Sequence, residues 1–205
     1  MTFAEQKAVI QEYIRALQAI DARQANEHTY RTPLENLFNS LQLKGKQTTA
    51  VQEAKSEQVD GTPDFFVYED YNQLFRSLIG FIECKKITRN ISEIIPSAQI
   101  AKYAKTTENI IITNYRDFIL LQNGKQQASV QLLGADLSAS ANPNKEQDFI
   151  NLLQDFYNYD YAYIKTKKHL VSALSAQAFY YSVTLREYVQ NPGNNEQTFR
   201  TFNNR

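Results

Sequence analysis

The sequence contains one cysteine and no apolar run long enough to cross a bilayer. The single cysteine, Cys84, excludes a disulfide framework and any metal site of the Cys-x-x-Cys type. A membrane-spanning helix needs about 20 predominantly apolar residues, which this chain does not offer. Residues 1–13 carry acids and glutamines where a signal peptide would have its hydrophobic region. We therefore expect a cytoplasmic protein without membrane association.

The chain also has no excess charge of either sign, because 22 Lys and Arg residues balance 22 Asp and Glu residues. This balance argues against a free-standing, strongly basic nucleic-acid binder, but it permits a local basic patch. The length of 205 residues and the hydrophobic fraction of 42% fit one main domain, with room for a helical appendage.

Apolar periodicity and turn signals predict a mixture of helices and strands. Three- and four-residue apolar spacing predicts helices at residues 3–22, 33–43, 97–106, 146–157 and 166–189. In the second helix, Thr32 is the expected N-cap and Pro33 the first helical residue. Strands are predicted at residues 49–53, 64–68, 78–86, 109–113, 117–122 and 126–133, with a turn or a single helical turn at 69–76. Asn123-Gly124 predicts a tight hairpin. This order indicates an α/β (α+β) fold with a mixed central sheet flanked by helices.

Two of the predicted strands carry charged residues where buried strands usually carry hydrocarbon. Alternate side chains of a strand share a face, so Glu83 and Lys85 point the same way while Ile82 and Cys84 point the other. If the two strands pair as neighbours, Asp64 falls beside Glu83. Two carboxylates at such a short distance raise each other's pKa unless a divalent cation compensates their charge. This arrangement suggests a Mg²⁺ site with oxygen ligands.

Asp64 followed by Glu83-x-Lys85 resembles the bipartite signature of the PD-(D/E)XK nuclease superfamily. The resemblance implies that Asp64, Glu83 and the backbone carbonyl of Cys84 bind Mg²⁺, for which Mn²⁺ can substitute. It implies that Lys85 positions or deprotonates the attacking water and offsets phosphate charge. The chemistry is suitable, since a carboxylate-bound metal polarises a phosphate and lowers the pKa of bound water.

A second motif follows in Gln99-Ile100-Ala101-Lys102-Tyr103, where Gln99 and Tyr103 share one helical face at a four-residue spacing. It resembles the Q-x-x-x-Y helix of part of the same superfamily. The resemblance implies that Gln99 and Tyr103 approach the active site and the DNA backbone.

Five pieces in order resemble the amino-terminal nuclease domain of fused type II (type IIG-like) or single-polypeptide type I restriction-modification enzymes. They are residues 27–31, 63–65, 81–85, 99–103 and 109–118. The resemblance implies a restriction-type endodeoxyribonuclease that acts on double-stranded DNA. Residues 1–140 would form the nuclease domain, and residues 141–205 a helical connector towards covalently linked methyltransferase and target-recognition domains. S-adenosylmethionine would serve only that absent methyltransferase, because the six scattered glycines form no G-x-G-x-x-G motif.

The resemblance also makes Glu27 a further acidic active-site residue, with Glu35 as the competing candidate. Tyr30 and Arg31 would lie near the phosphate or serve the structure. Two other functions stay open: an inactive fold that binds DNA or protein, and a stand-alone repair or junction-resolving nuclease.

Overall fold

The computed structural model describes most of the chain up to Tyr159. The described residues are 1–21, 25–41, 43, 47–52, 63–72, 75–104, 107–159, 171, 174 and 178, without the side chains of Glu27 and residues 70–77. Within these residues, no helix combines the length and the apolar content that crossing a bilayer requires.

The described residues up to Tyr159 contain four α-helices, two short 3-10 helices and six strands. The α-helices are α1 (Phe3–Gln18), α2 (Arg31–Ser40), α3 (Ala98–Tyr103) and α4 (Lys145–Tyr157), and the 3-10 helices are Glu27–Tyr30 and Ile91–Ile94. The strands are β1 (Thr48–Gln52), β2 (Phe65–Asn72), β3 (Phe75–Cys84), β4 (Asn109–Thr113), β5 (Asp117–Gln122) and β6 (Lys125–Gln131).

All six strands form one sheet in the order of the sequence, β1-β2-β3-β4-β5-β6. The pairs are antiparallel except β3 and β4, which run parallel, so the sheet is mixed. The parallel pair needs a crossover, and α3 lies within that connection. The predicted α+β class with a mixed sheet is confirmed.

The two faces of the sheet are covered by different helices. On one face, Ile82, Cys84 and Ile111 belong to a core cluster that includes side chains of α1, α2 and α4. On the other face, Phe81 packs edge-on against Tyr103 of α3, with ring centroids 5.9 Å apart. Strand β4 is buried along its whole length because both of its faces are covered.

The Asn123-Gly124 hairpin forms as predicted. Both residues have positive φ, 54° for Asn123 and 71° for Gly124. This is the backbone of a type I′ turn, whose twist matches that of the two strands it joins.

Two local predictions were wrong. Helix α2 begins at Arg31 without a side-chain cap from Thr32, because the 3-10 helix Glu27–Tyr30 runs directly into it and Asn26 caps that helix instead. Residues 69–76 do not form a short turn: β2 and β3 continue as a long hairpin, with Asp70 opposite Arg76 and Asn72 opposite Phe75. Strand pairing satisfies the backbone groups there and overrides the polar composition.

The chain divides into two compact units, Met1–Tyr163 and Ile164–Arg205. Helix α4 belongs to the first unit, where Phe149, Leu153 and Phe156 lie in the core. Of the helix predicted at 166–189, the structure describes only Val171, Leu174 and Ala178, which are helical, and the rest lies outside the described residues. The interpretation of residues 141–205 as a connector to further domains stays a prediction.

Candidate active site

The charged residues of the two motif strands meet at one end of the β2–β3 pair. Phe65 pairs with Ile82 in this antiparallel ladder, so the preceding Asp64 lies beside the following Glu83. Cys84 ends β3, and the Lys85 N–H still donates to the Thr113 carbonyl of β4 at 2.8 Å. The strand alternation therefore places Glu83 and Lys85 on one face and buries Cys84 in the core on the other.

Glu83 is the centre of a hydrogen-bonded cluster and is only 3% exposed. Its Oε1 accepts from Lys85 Nζ and from Gln99 Nε2, each at 2.7 Å. Its Oε2 accepts from the Tyr103 hydroxyl at 2.9 Å. A buried carboxylate with three donors, one of them cationic, is held in a fixed orientation.

Helix α3 supplies two of those donors because of its position on the sheet. Ser97 caps the helix by accepting from the Ile100 N–H, and the packing of Tyr103 on Phe81 brings the phenol to Glu83. Gln99 uses both ends of its amide: Nε2 also donates to the Tyr103 hydroxyl at 2.8 Å, and Oε1 accepts from Lys85 Nζ at 2.8 Å. Gln99 therefore fixes the Lys85 ammonium against Glu83.

Asp64 is held by partners different from those of Glu83. Its Oδ1 accepts from the Arg31 guanidinium at the start of α2, and the two side chains are 15% and 14% exposed. Its Oδ2 accepts from the Cys84 backbone N–H at 2.7 Å. Each carboxylate thus has its own cation, Arg31 for Asp64 and Lys85 for Glu83.

The backbone carbonyl of Cys84 lies at a position where the β2–β3 ladder ends. The pairing of Phe65 with Ile82 places Pro63 opposite Cys84. Proline has no N–H, so Pro63 cannot donate a ladder hydrogen bond to this carbonyl. Pro63 therefore ends the ladder next to the carbonyl that the superfamily resemblance assigns to metal.

The β4–β5 turn supports the site through Tyr115, a residue for which no role was predicted. Tyr115 is fully buried and has a φ of 73°. Its ring packs on that of Tyr30, with the ring centroids 5.3 Å apart. Its carbonyl oxygen accepts a hydrogen bond from the Tyr13 hydroxyl at 2.7 Å. Tyr30 is accordingly a buried packing residue beside Arg31. Two sequence signals mark this segment: residues 109–118 belong to the resemblance described above, and Asn114-x-x-Asp117 is a turn pattern, in which the Asn114 side chain accepts from the Asp117 N–H at 2.7 Å.

The same turn holds the segment that follows Lys85. Asn114 Nδ2 donates to the Arg89 carbonyl at 2.8 Å, and Arg116 Nε donates to the Ile87 carbonyl at 2.9 Å. These two contacts fix the exit of the chain from β3, and with it the backbone that carries Lys85.

The environment shifts the pKa of several groups in this cluster. Burial and the negative charge of Asp64 raise the pKa of Glu83, and the donors Lys85 and Tyr103 oppose that rise. Burial and Glu83 raise the pKa of Tyr103, so its hydroxyl stays protonated and donates. Burial and Asp64 raise the pKa of the Cys84 thiol, which is therefore a protonated core group and not a nucleophile.

The two candidates for an additional acidic residue differ in what the structure describes. Glu27 is the first residue of the 3-10 helix that leads into Arg31, and its side chain lies outside the described part. Glu35 accepts a hydrogen bond from Gln52 of β1 at 2.6 Å. A role for Glu27 at the site stays a prediction.

The oxygen atoms gathered here could bind a hard cation. Among the described residues, no group of three or more His, Cys, Asp or Glu side chains is close enough to hold a metal ion. The oxygen ligands that could do so are the carboxylates of Asp64 and Glu83, which already accept hydrogen bonds, and the carbonyl of Cys84. Mg²⁺ keeps several waters and is commonly bound through one or two carboxylates and substrate phosphates, so this donor set fits Mg²⁺.

No protein-family model and no curated protein matches the chain. The DNA complex of DrdV, solved by cryo-EM, matches it with a TM-score of 0.53 and 19% sequence identity. The match covers 75% of this chain and 14% of the DrdV chain. At this identity the likeness concerns the fold: an α+β domain with a six-stranded mixed sheet flanked by helices, consistent with a restriction-endonuclease-like fold.

Proposed function

We propose that this chain is a restriction-type, metal-dependent DNA endonuclease domain. The observation that carries the proposal is the hydrogen-bonded cluster of Glu83, Lys85, Gln99 and Tyr103 beside Asp64. Its members come from two separate motifs, yet they meet at one end of the sheet. The likeness in fold to DrdV, a protein solved in complex with DNA, supports the same proposal.

In the proposed reaction, Asp64, Glu83 and the Cys84 carbonyl would hold Mg²⁺ or Mn²⁺. The bound ion would polarise the scissile phosphate and lower the pKa of a coordinated water. Burial and the nearby charge of Asp64 raise the pKa of Glu83, and a cation bound beside both carboxylates would oppose that rise.

Lys85 is proposed to orient the attacking water or to stabilise phosphate charge. Its ammonium group has three N–H donors, of which two go to Glu83 and Gln99. The third is available to a water or a phosphate oxygen, and the side chain is 23% exposed, so solvent reaches it. Gln99 and Tyr103 act as positioning residues, since they hold Lys85 and Glu83 in place.

Residues 141–205 would lead, in the parent polypeptide, towards the methyltransferase and target-recognition domains, where S-adenosylmethionine would be used. Sequence recognition on double-stranded DNA would then come from those domains. A tethered nuclease needs little affinity of its own, which agrees with the zero net charge of this chain.

The experiment is plasmid nicking in Mn²⁺ by wild type, Asp64→Ala and Lys85→Ala. Lys86→Ala is the matched control, because Lys86 carries the same charge one residue further on and is exposed. We expect both site variants to lose cutting at least about a hundredfold, as positioned catalytic groups commonly contribute that much, while Lys86→Ala keeps it. Cutting by Asp64→Ala and Lys85→Ala at the wild-type rate would refute the proposal.

A second candidate is a module that binds DNA or protein without cleavage. It is favoured by the pairing of each carboxylate with a cation, Asp64 with Arg31 and Glu83 with Lys85. In that case calorimetry with millimolar Mg²⁺ or Mn²⁺ would give no binding heat.

A further inference from the structure

The Arg31–Asp64 ion pair occupies one of the two carboxylates to which the proposed metal would bind. Arg31 is the first residue of α2, and its guanidinium donates to Asp64 Oδ1. Asp64 Oδ2 already accepts from the Cys84 N–H. Both carboxylate oxygens of Asp64 therefore have a protein donor.

The charges of the cluster are balanced with Arg31 in this position. Asp64 and Glu83 contribute two negative charges, and Arg31 and Lys85 contribute two positive charges. A divalent cation added to this balanced cluster would meet the guanidinium at short range. In a site that is only partly exposed to solvent, such like-charge repulsion is screened weakly.

We propose that Arg31 is a built-in counter-ion, which neutralises Asp64 in the metal-free protein and must leave Asp64 when a divalent cation binds. This inference rests on the proposed metal site and adds that Arg31 sets its affinity. The Arg31 side chain is 15% exposed and extends from the first residue of α2, so part of it already reaches solvent.

The test is titration calorimetry of metal-free protein with Mn²⁺, comparing wild type, Arg31→Gln and Lys86→Gln. Removal of the competing cation is expected to tighten Mn²⁺ binding to Arg31→Gln about tenfold, which corresponds to ~1.4 kcal/mol. Lys86→Gln removes an equal charge from an exposed neighbouring position and is expected to change the affinity less than about twofold. Binding to Arg31→Gln that is equal to or weaker than that of wild type would overturn the proposal.

The Asp64→Asn background separates displacement from a general effect of charge. If Arg31 acts by holding Asp64, Arg31→Gln gains little Mn²⁺ affinity once the carboxylate is gone. An equal gain in both backgrounds would mean that Arg31 weakens Mn²⁺ binding independently of its ion pair with Asp64, which contradicts the displacement model.

Thermal unfolding gives a readout that does not depend on cleavage. Without metal, Arg31→Gln should have a lower Tm than wild type, because Asp64 loses its cation beside Glu83. Mn²⁺ should then raise the Tm of Arg31→Gln more than that of wild type. Absence of Mn²⁺ binding in all variants would refute the metal site itself, whereas equal binding and equal Tm gains would refute only the role of Arg31.

Discussion

Removal of the Tyr103 hydroxyl tests how strongly the cluster holds Glu83. The substitution Tyr103→Phe keeps the ring, which packs on Phe81, and removes only the O–H that donates to Glu83 Oε2 at 2.9 Å. It also removes the oxygen that accepts from Gln99 Nε2 at 2.8 Å. Both the ring and Glu83 are 3% exposed, so water cannot easily replace the lost donor.

The magnitude follows from the charge on the acceptor. A hydrogen bond to a charged group contributes about 1.5–3 kcal/mol to folding, and a neutral one about 0.5–1.5 kcal/mol. For a domain of this size, 1 kcal/mol corresponds to about 2–4 °C in Tm. We therefore expect Tyr103→Phe to lower the Tm of the metal-free protein by roughly 3–12 °C.

Tyr13→Phe is the matched control, because Tyr13 is equally buried and donates to a neutral acceptor, the Tyr115 carbonyl, at 2.7 Å. The assay is urea or thermal unfolding in a chelator, followed by circular dichroism. In a Glu83→Gln background the cost of Tyr103→Phe should fall to that of the control, as a double-mutant cycle would reveal. The charge-assisted bond is not what holds Glu83 if Tyr103→Phe lowers the free energy of unfolding no more than Tyr13→Phe does. The same conclusion follows if the loss caused by Tyr103→Phe is unchanged in the Glu83→Gln background.

Two further predictions concern the framework of the site. Gly80→Ala is expected to destabilise the fold at or above the upper end of ~1–3 kcal/mol, because the new Cβ would contact the Asn109 carbonyl and lie 2.8 Å from the Phe156 ring. Gly124 has open space around it but a φ of 71°, so Gly124→Ala should lower the free energy of unfolding by only about 1–2 kcal/mol. Equal losses for the two variants in urea unfolding would contradict this. Cys84 is 1% exposed, so its labelling by a thiol reagent should be limited by unfolding, and rapid labelling of native protein would show that the core face is open.

Some features of the site were predictable from local sequence because their causes are local. The alternation of side chains along a strand puts Glu83 and Lys85 on one face of β3. The helical spacing puts Gln99 and Tyr103 on one face of α3. Asn123-Gly124 fixed its hairpin through the φ values that these two residues tolerate. None of these features needs a distant part of the chain.

Other features were not predictable because they depend on contacts between distant segments. Asp70 and Asn72 are typical turn residues, yet pairing with the facing strand extends β2 through them. Thr32 was predicted to cap α2, but a 3-10 helix precedes α2 and Asn26 caps that helix. In both cases a backbone interaction with a neighbouring element outweighed a propensity of under about 1 kcal/mol per residue.

The fold class and the order of the motifs could be predicted from the sequence alone, because periodicity and turn chemistry are encoded over a few residues. Which charges meet depends on tertiary packing. Arg31 lies 33 positions before Asp64 and Tyr103 20 positions after Glu83, and the sheet register and the helix packing bring each pair into contact. The pairing of each carboxylate with its own cation is set by that packing, because hydrogen bonds and ion pairs act over a few ångströms and do not depend on separation along the chain.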